Sequence, residues 1–325
     1  MSIETLSESW FDSRALTSDD EPATPADVTA LKRLLKGVVS PSVAANEIMT
    51  MSEDEAPLDS KLDRIAWLMF DVAMEYPAGQ PIILDLEDAI NALPNFNMSD
   101  EQKASFPKMA EWKRLDALGD AIGDMYRSYW ANRNSPDGDM SLAERRRLWA
   151  AINAFLARRC IRHGTYHDLH RGLVAIRTAL EEEPWNGQES QPSASQSSIY
   201  SLDAEVPAAA EWILIAGRLI YNYIDEERFS ALASTTDLWK GKPRFSKERW
   251  AFWKSRLRWI EIQAKLADNT RSVAKKAADE MDEIERLPQE LLWSGKVDKA
   301  HPLDSCACGA CNKQRLQSGE EPKRK

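Results

Sequence analysis

The sequence predicts an all-α fold, a multi-helix array of packed helical hairpins. Apolar residues recur every three or four positions along almost every nonpolar segment, and Gly and Pro lie mainly between these segments. One run, Ile82–Leu84, resembles a strand, but it continues at helical spacing through Leu86 and Ile90. Because no neighbouring segment alternates with a period of two, we interpret this run as part of a helix.

The first predicted elements form a helical hairpin. Pro25 follows Thr24 at a position that suits the first turn of a helix, and apolar residues then recur as far as Val38. A second, shorter helix is expected to end near Met49. Ser40 lies directly before it and can accept a hydrogen bond from a free backbone N–H at its start.

Five further helices are predicted before residue 184. Gly164 is a natural stop between the last two, because a residue without a Cβ adopts the left-handed conformation that a helix end prefers. Ser141 and Glu144 have the spacing of a reciprocal cap at the start of the fourth. The five helices cover residues 58–76, 81–93, 109–130, 141–162 and a segment that starts at Thr165 and Asp168.

Two long segments follow a polar stretch, residues 184–198, that is too rich in Ser, Gln and Pro to bury a face. The first segment, 207–224, is apolar nearly all round. Glu211 and Arg218 would each cost up to roughly 2.5 to 3.5 kcal/mol inside a bilayer, so a buried helix is favoured over a membrane span. The second, 246–287, is the longest helical pattern, and short polar residues at 268–270 predict a bend or division there.

These elements divide the chain into five predicted parts. The parts are a mobile acidic arm (1–23), an N-terminal helical part (24–183), a linker or surface loop (184–200), a C-terminal helical part that shares the same core (201–290), and a flexible tail that contains cysteines (291–325).

An excess of acidic residues limits the classes of partner. With 52 acidic and 42 basic residues the net charge is −10, whereas a general nucleic-acid binder needs a basic surface, so we expect no nucleic-acid partner. Residues 1–20 carry acids where a signal peptide would carry bases, and we expect no membrane association. Four cysteines, three of them in the tail, do not form a secreted disulfide framework. A cytoplasmic protein is expected, with the nucleus as the alternative.

Several stretches share helix-face patterns with a known family. They are Leu34–Ile48, Glu75–Pro77 with Ile83–Leu86, Asn153–Arg158, Thr178–Glu181, Ala208–Tyr221 and Arg249–Trp253. Together they resemble a fungal family of uncharacterised proteins, the domain of unknown function 3632, over roughly residues 28–286. The resemblance implies an all-helical fold with no assigned chemistry.

The tail carries the sharpest local pattern, His301, Cys306, Cys308 and Cys311 around Gly309. Three thiolates and an imidazole could close a tetrahedral zinc site, with copper(I) as the other candidate ion, and the glycine would allow a tight turn around it. Zinc modules usually present two separated pairs of ligands, and this pattern has no second pair. The favoured interpretation is therefore a solvated tail of reduced thiols without a cofactor.

A second cluster consists of Cys160, His163, His167 and His170. On an uninterrupted helix the first and last of these would stand roughly 15 Å apart, so one ion could take only neighbouring members. A turn lined with histidines is the favoured interpretation, and a two-histidine metal site or a pH-sensitive contact is the alternative.

Two further patterns have a structural and a functional interpretation. Asp116, Asp120 and Asp124 recur every fourth residue, which is typical of a solvated helix face, with a cation site as the alternative. Tryptophans between residues 250 and 259 lie among several basic residues. We expect them to fill the core with arginines over the rim, and the alternative is an aromatic and basic binding platform.

The chain contains none of the sequence motifs GxGxxG, GxxxxGK[ST], HExxH or GxSxG, so an enzyme is not the favoured class. Extensive helical amphipathicity instead favours a soluble protein–protein interaction or scaffold module with a protein partner. The alternatives are a metal-binding protein that uses the tail and a small-molecule enzyme without a recognisable motif. The sequence leaves the oligomeric state open.

Overall fold

The computed structural model describes residues 6–15, 23–49, 58–93, 116–133, 140–183, 199–223, 236–242 and 244–288. Within these ranges it contains eleven α-helices and no strand, which confirms the all-α fold class. The helices are α1 (Glu8–Ala15), α2 (Pro25–Leu35), α3 (Pro41–Met49), α4 (Leu58–Glu75), α5 (Gln80–Ala92), α6 (Asp116–Asn132), α7 (Leu142–His163), α8 (Tyr166–Glu181), α9 (Leu202–Asn222), α10 (Lys247–Glu261) and α11 (Asp268–Arg286).

The chain divides into two compact units. Unit 1 consists of Met1–Phe155 and Pro184–Ala208, and unit 2 consists of Leu156–Glu183 and Ala209–Lys325. Helices α7 and α9 each contribute residues to both units. The domain boundaries expected from the sequence stay predictions, and the polar stretch 184–198 lies outside the described residues.

Unit 1 begins with α1, which the sequence analysis did not predict. This helix lies within residues 1–23, the stretch expected to be a mobile arm, and it packs on α2. The hairpin of α2 and α3 is confirmed. Its first helix starts with a capping box, in which the Thr24 side chain accepts from the backbone N–H of Asp27 and the Asp27 carboxylate accepts from the backbone N–H of Thr24.

The later helices of unit 1 also begin and end where local signals place them. The separation of α4 from α5 is a single 3₁₀ turn, Pro77–Gly79. At the start of α7 the Ser141 hydroxyl accepts from the backbone N–H of Glu144 at 3.2 Å. The Glu144 carboxylate does not complete the predicted reciprocal cap, because it binds the guanidinium of Arg147 at 2.6 Å instead.

In unit 2 the predicted stop after α7 is confirmed. Gly164 has a φ of 67°, and its N–H donates to the Cys160 carbonyl at 2.9 Å, which closes the helix before α8 starts. Trp212 on α9 is fully buried, so the prediction of a buried helix is confirmed. Among the described helices, none combines the length and apolar character that a membrane span requires.

The segment 246–287 folds as two helices, α10 and α11, and not as one bent helix. The break lies at residues 262–267, before the predicted position at 268–270. Asp268 is the first residue of α11, where its negative charge suits the positive end of the helix dipole. Lys254 reaches Asp282 at 2.9 Å and Glu285 at 2.6 Å, while Arg258, one turn later, reaches back to Asp279 at 2.6 Å. The two helices are therefore antiparallel.

Candidate functional site

A buried polar cluster of unit 2 surrounds the carboxylate of Glu181, the last residue of α8. Arg249 on α10 donates from Nε to Oε1 at 2.6 Å and from Nη2 to Oε2 at 2.7 Å. Trp253 adds its indole N–H to Oε1 at 2.6 Å. Both charged side chains have an exposure of 0%. The pair is therefore a bidentate ion pair that is shielded from water, with a third hydrogen bond from an indole N–H.

The same glutamate also holds the loop that precedes α10. Its backbone carbonyl accepts from the N–H of Leu238 at 2.9 Å, and the Thr236 hydroxyl lies 3.4 Å from Oε2. Arg249 donates to the Arg244 carbonyl at 3.3 Å from the other side. Since its carboxylate oxygens are engaged by groups of the chain itself, Glu181 fixes a loop and is not available to a substrate.

The tryptophans of α10 confirm the prediction that they fill the core. Trp250 and Trp253 are 1% and 0% exposed. Trp259 is half-buried at the rim, where the guanidinium of Arg256 lies 4.3 Å from the centre of its ring. The rings are thus used in packing, with an arginine over the outermost one.

A second buried acid, Asp168, lies at the start of α8. Its Oδ2 accepts from Arg159 on α7 at 2.6 Å and from the Thr165 hydroxyl, and its Oδ1 accepts from Arg171 at 2.9 Å. Burial by itself raises the pKa of Asp168, but the positive charges of Arg159 and Arg171 outweigh it, and the pKa is lowered. This cluster fixes the turn between α7 and α8.

The predicted Cys and His cluster lies on that turn. Cys160 is fully buried, with its Sγ 3.7 Å from the Thr165 carbonyl, and burial raises the pKa of its thiol well above the usual value. His163 and His170 are half-buried, and His167 is exposed. Within the described ranges, no three His, Cys, Asp or Glu side chains converge as metal ligands. The interpretation as a turn lined with histidines fits this arrangement.

Two predicted sites stay predictions. The tail residues His301, Cys306, Cys308 and Cys311 lie outside the described residues. Asp116, Asp120 and Asp124 lie on α6 as expected, but none of their side chains belongs to the part of the structure that is described.

In unit 1 a cluster of ion pairs joins three helices, α1, α4 and α7. Asp71 and Glu75 on α4 face Arg14 of α1, whose Nε is 2.8 Å from Asp71 Oδ2 and whose Nη2 is 3.8 Å from Glu75 Oε1. Arg147 of α7 reaches Glu75 at 3.5 Å. Burial raises the pKa of Asp71 to about 6 against the opposing effect of Arg14. Burial, with the charges of Asp71 and Glu75, also raises the pKa of Tyr129 on α6.

Unit 1 also exposes apolar side chains around the start of α7. Met140 and Leu142 are each 38% exposed, and Tyr200 is 52% exposed. Arg146 lies one turn after Leu142 and donates to the Tyr200 backbone carbonyl at 2.9 Å, so the start of α7 and the segment that carries Tyr200 are joined by one arginine. We call Met140, Leu142 and Tyr200 the α7 patch. Its members are exposed apolar side chains on these two joined segments.

Sequence reasoning missed the partners of both buried acids. One signal for Glu181 was available, because a carboxylate at a helix C-terminus is disfavoured by the helix dipole unless a cation lies nearby. The cation itself comes from a residue 68 positions later, and no local pattern indicates it. No local pattern indicates the α7 patch either, because its members come from segments more than 50 residues apart.

A family model described as "Protein of unknown function (DUF3632)" matches residues 67–257. The match covers more than half of the chain, which therefore belongs to this family and confirms the resemblance found from the sequence. It includes the Glu181 and Asp168 clusters and the α7 patch, but not α1 to α3. No curated protein and no solved structure gave a significant match. The fungal origin stays a prediction.

Proposed function

We propose that this chain is a protein–protein interaction or scaffold module that binds a protein partner through the α7 patch. The observation that carries the proposal is the exposure of Met140, Leu142 and Tyr200 on two segments that Arg146 joins. Apolar side chains that are surrounded by charge on a surface are a common feature of interaction sites, where the apolar centre is buried and the charged rim stays wet.

The polar groups around the patch favour a protein partner. Arg146 donates to the Tyr200 carbonyl at 2.9 Å and lies 3.4 Å from Asp203, so its guanidinium fixes the two segments of the patch to each other. A patch whose parts are held in place loses less conformational entropy when a partner binds. Arginine and tyrosine are also the residue types that contribute most often to the centres of interfaces.

The buried acids of unit 2 support an interaction role over catalysis. Glu181 and Asp168 are bound by arginines of the chain itself at 2.6 to 2.9 Å. Strong internal pairing is what a structural ion pair requires, whereas a catalytic acid or base must be able to reach the substrate. We therefore assign these two clusters to the stability of the fold.

The experiment uses light-activated cross-linking followed by a titration. A photoreactive amino acid at position 142 captures the partner in cells, and mass spectrometry identifies it. The purified partner is then titrated with the wild-type chain, with Leu142→Arg and with Val43→Arg. Val43 is a matched control, because it is 44% exposed and lies on α3.

Leu142→Arg should weaken binding by about tenfold or more, since it places a charge in the apolar centre of the interface. Val43→Arg should leave the affinity within about twofold, as expected for a residue outside that centre. Equal effects of the two substitutions, or a chain that captures nothing at position 142, would contradict the proposal.

A further inference from the structure

The helix α1 lies in a groove of unit 1, and one aromatic side chain anchors it there. Phe11 is 3% exposed and is the only buried residue of α1. Its ring lines a small hollow together with Leu35, Lys36 and Tyr76, and with Leu6 from the segment that precedes α1. The groove is thus formed by the end of α2 and by the tyrosine that follows α4.

Charges of opposite sign hold the two ends of α1. At the start, the Glu8 carboxylate binds Lys32 of α2 and Lys36, the residue directly after α2, the latter at 2.5 Å, and these bonds lower the pKa of Glu8 to about 2. At the other end, Arg14 binds Asp71 of α4 at 2.8 Å. The groove therefore has a positive end and a negative end, on either side of an apolar centre.

The three contact residues of α1 follow a fixed spacing. Glu8, Phe11 and Arg14 stand three residues apart, so one face of a two-turn helix carries an acid, an aromatic ring and a base in that order. Lys32 lies 5.4 Å from the centre of the Phe11 ring and so contributes to both the positive end and the apolar centre. This spacing is a recognition pattern that another protein can present equally well.

The contacts that keep α1 in the groove are weak enough for another helix to replace it. A helix of eight residues is far too short to be stable alone, so α1 depends on its contacts with the groove. Only one side chain is fully buried, and the ion pairs at the ends involve the exposed Glu8 and the half-exposed Arg14. Exposed ion pairs of this kind stabilise little and are screened by salt.

We propose that this groove is a binding site for a two-turn helical segment of a partner protein with the pattern Glu-x-x-Phe-x-x-Arg, and that α1 occupies it as an intramolecular competitor. The partner segment displaces α1 when it binds. Charge complementarity determines the direction in which the partner helix binds. A helix with the opposite order of charges would bring a base against Lys32 and Lys36 and an acid against Asp71. The groove is separate from the α7 patch, and the proposal does not depend on that patch.

The first test measures binding of a fluorescent peptide with the sequence of residues 7–16, SESWFDSRAL, to the full-length chain by anisotropy. The matched control is the charge-exchanged peptide SRSWFDSEAL. The chain is used as wild type and as Glu8→Lys with Phe11→Ala, which empties the groove. The emptied groove should bind the first peptide about tenfold more tightly than wild type and about tenfold more tightly than it binds the control peptide.

A further pair of substitutions tests the direction of binding. Lys32→Glu with Lys36→Glu, added to the emptied chain, should reverse the preference between the two peptides. Thermal melts of all variants should still show one cooperative transition, with the melting temperature lowered by the loss of the buried Phe11 side chain. Equal affinity of the wild-type and emptied chains, or equal binding of the two peptides, would overturn the proposal.

The second test needs no variant. Amide hydrogen exchange of residues 10–15 in the wild-type chain should accelerate when the peptide is added in excess, because α1 leaves the groove and loses its helical hydrogen bonds. No acceleration would overturn the displacement. A concentration-dependent dimer of the wild-type chain that the peptide dissociates would show that α1 of a second copy fills the groove, and would overturn the assignment to a partner.

Discussion

Arg249→Met tests how strongly the buried ion pair of unit 2 stabilises the fold. The substitution removes the two strongest donors to Glu181, at 2.6 and 2.7 Å, and leaves the carboxylate with the Trp253 indole at 2.6 Å and the Thr236 hydroxyl at 3.4 Å. Methionine has a similar length and fills most of the space, so the main effect is an uncompensated charge at a site with 0% exposure.

The expected cost is about 3 to 5 kcal/mol, the usual penalty when one partner of a buried pair is removed. For 325 residues, with an unfolding entropy of about 2.1 cal/mol/K per residue, that corresponds to a fall in melting temperature of about 4 to 7 °C. Adding Glu181→Gln to the variant removes the charge but keeps an oxygen for the Trp253 indole. The neutral double variant should therefore recover at least half of the lost stability.

The assay is thermal unfolding followed by the fluorescence of the twelve tryptophans, of which Trp253 lies beside the pair. Arg258→Met is the control, because it removes surface ion pairs with Glu261, Asp279 and Asp282 from an arginine that is 37% exposed, and it should cost much less than Arg249→Met. The reasoning is refuted if Arg249→Met and Arg258→Met lower the melting temperature equally, or if the double variant is less stable than the single one.

Three further predictions concern other sites. Gly172→Ala should lower the melting temperature although alanine favours helices, because the new Cβ would lie 2.4 Å from the ring of Trp212; a higher melting temperature would contradict this. Burial lowers the pKa of His170 to about 4, below its unfolded value near 6.5. As the pH falls from 6.5 to 4 the unfolded chain therefore takes up a proton that the folded chain does not, and the free energy of unfolding decreases. Denaturant titrations should show that the free energy of unfolding of His170→Gln rises relative to that of wild type as the pH falls over that range. On the favoured interpretation of the tail, changing its three cysteines together to Ser should leave the zinc content of purified protein unchanged, and a loss of about one zinc per chain would support the metal hypothesis instead.

Local sequence signals were sufficient for most helix ends. Gly164, Ser141 and the Pro77 turn each act through their own backbone or side chain, and the structure has a helix end or start at each. The division between α10 and α11 was misplaced because apolar periodicity continues through it. Ile262 fits the pattern but is 73% exposed, whereas Leu266 is buried.

Side-chain pairing between distant segments could not be predicted from the sequence. The α8 segment ends in three glutamates that have the same composition as a solvated helix end, and only the position of Arg249 distinguishes Glu181 from its neighbours. The helix α1 was missed for a related reason. It contains two large apolar residues, Trp10 and Phe11, and so its helical state depends on a groove that the rest of unit 1 creates.

The long sequence separation between Glu181 and Arg249 has a consequence for the synthesis of the protein. The glutamate leaves the ribosome 68 residues before its arginine, which at ordinary translation speed is a delay of roughly 3 to 14 seconds. Throughout that interval the end of α8 must stay hydrated, because burying the bare carboxylate would be too costly. Newly made chains should therefore complete unit 2 late, and chaperones that hold unfinished segments would find α8 accessible until α10 has emerged.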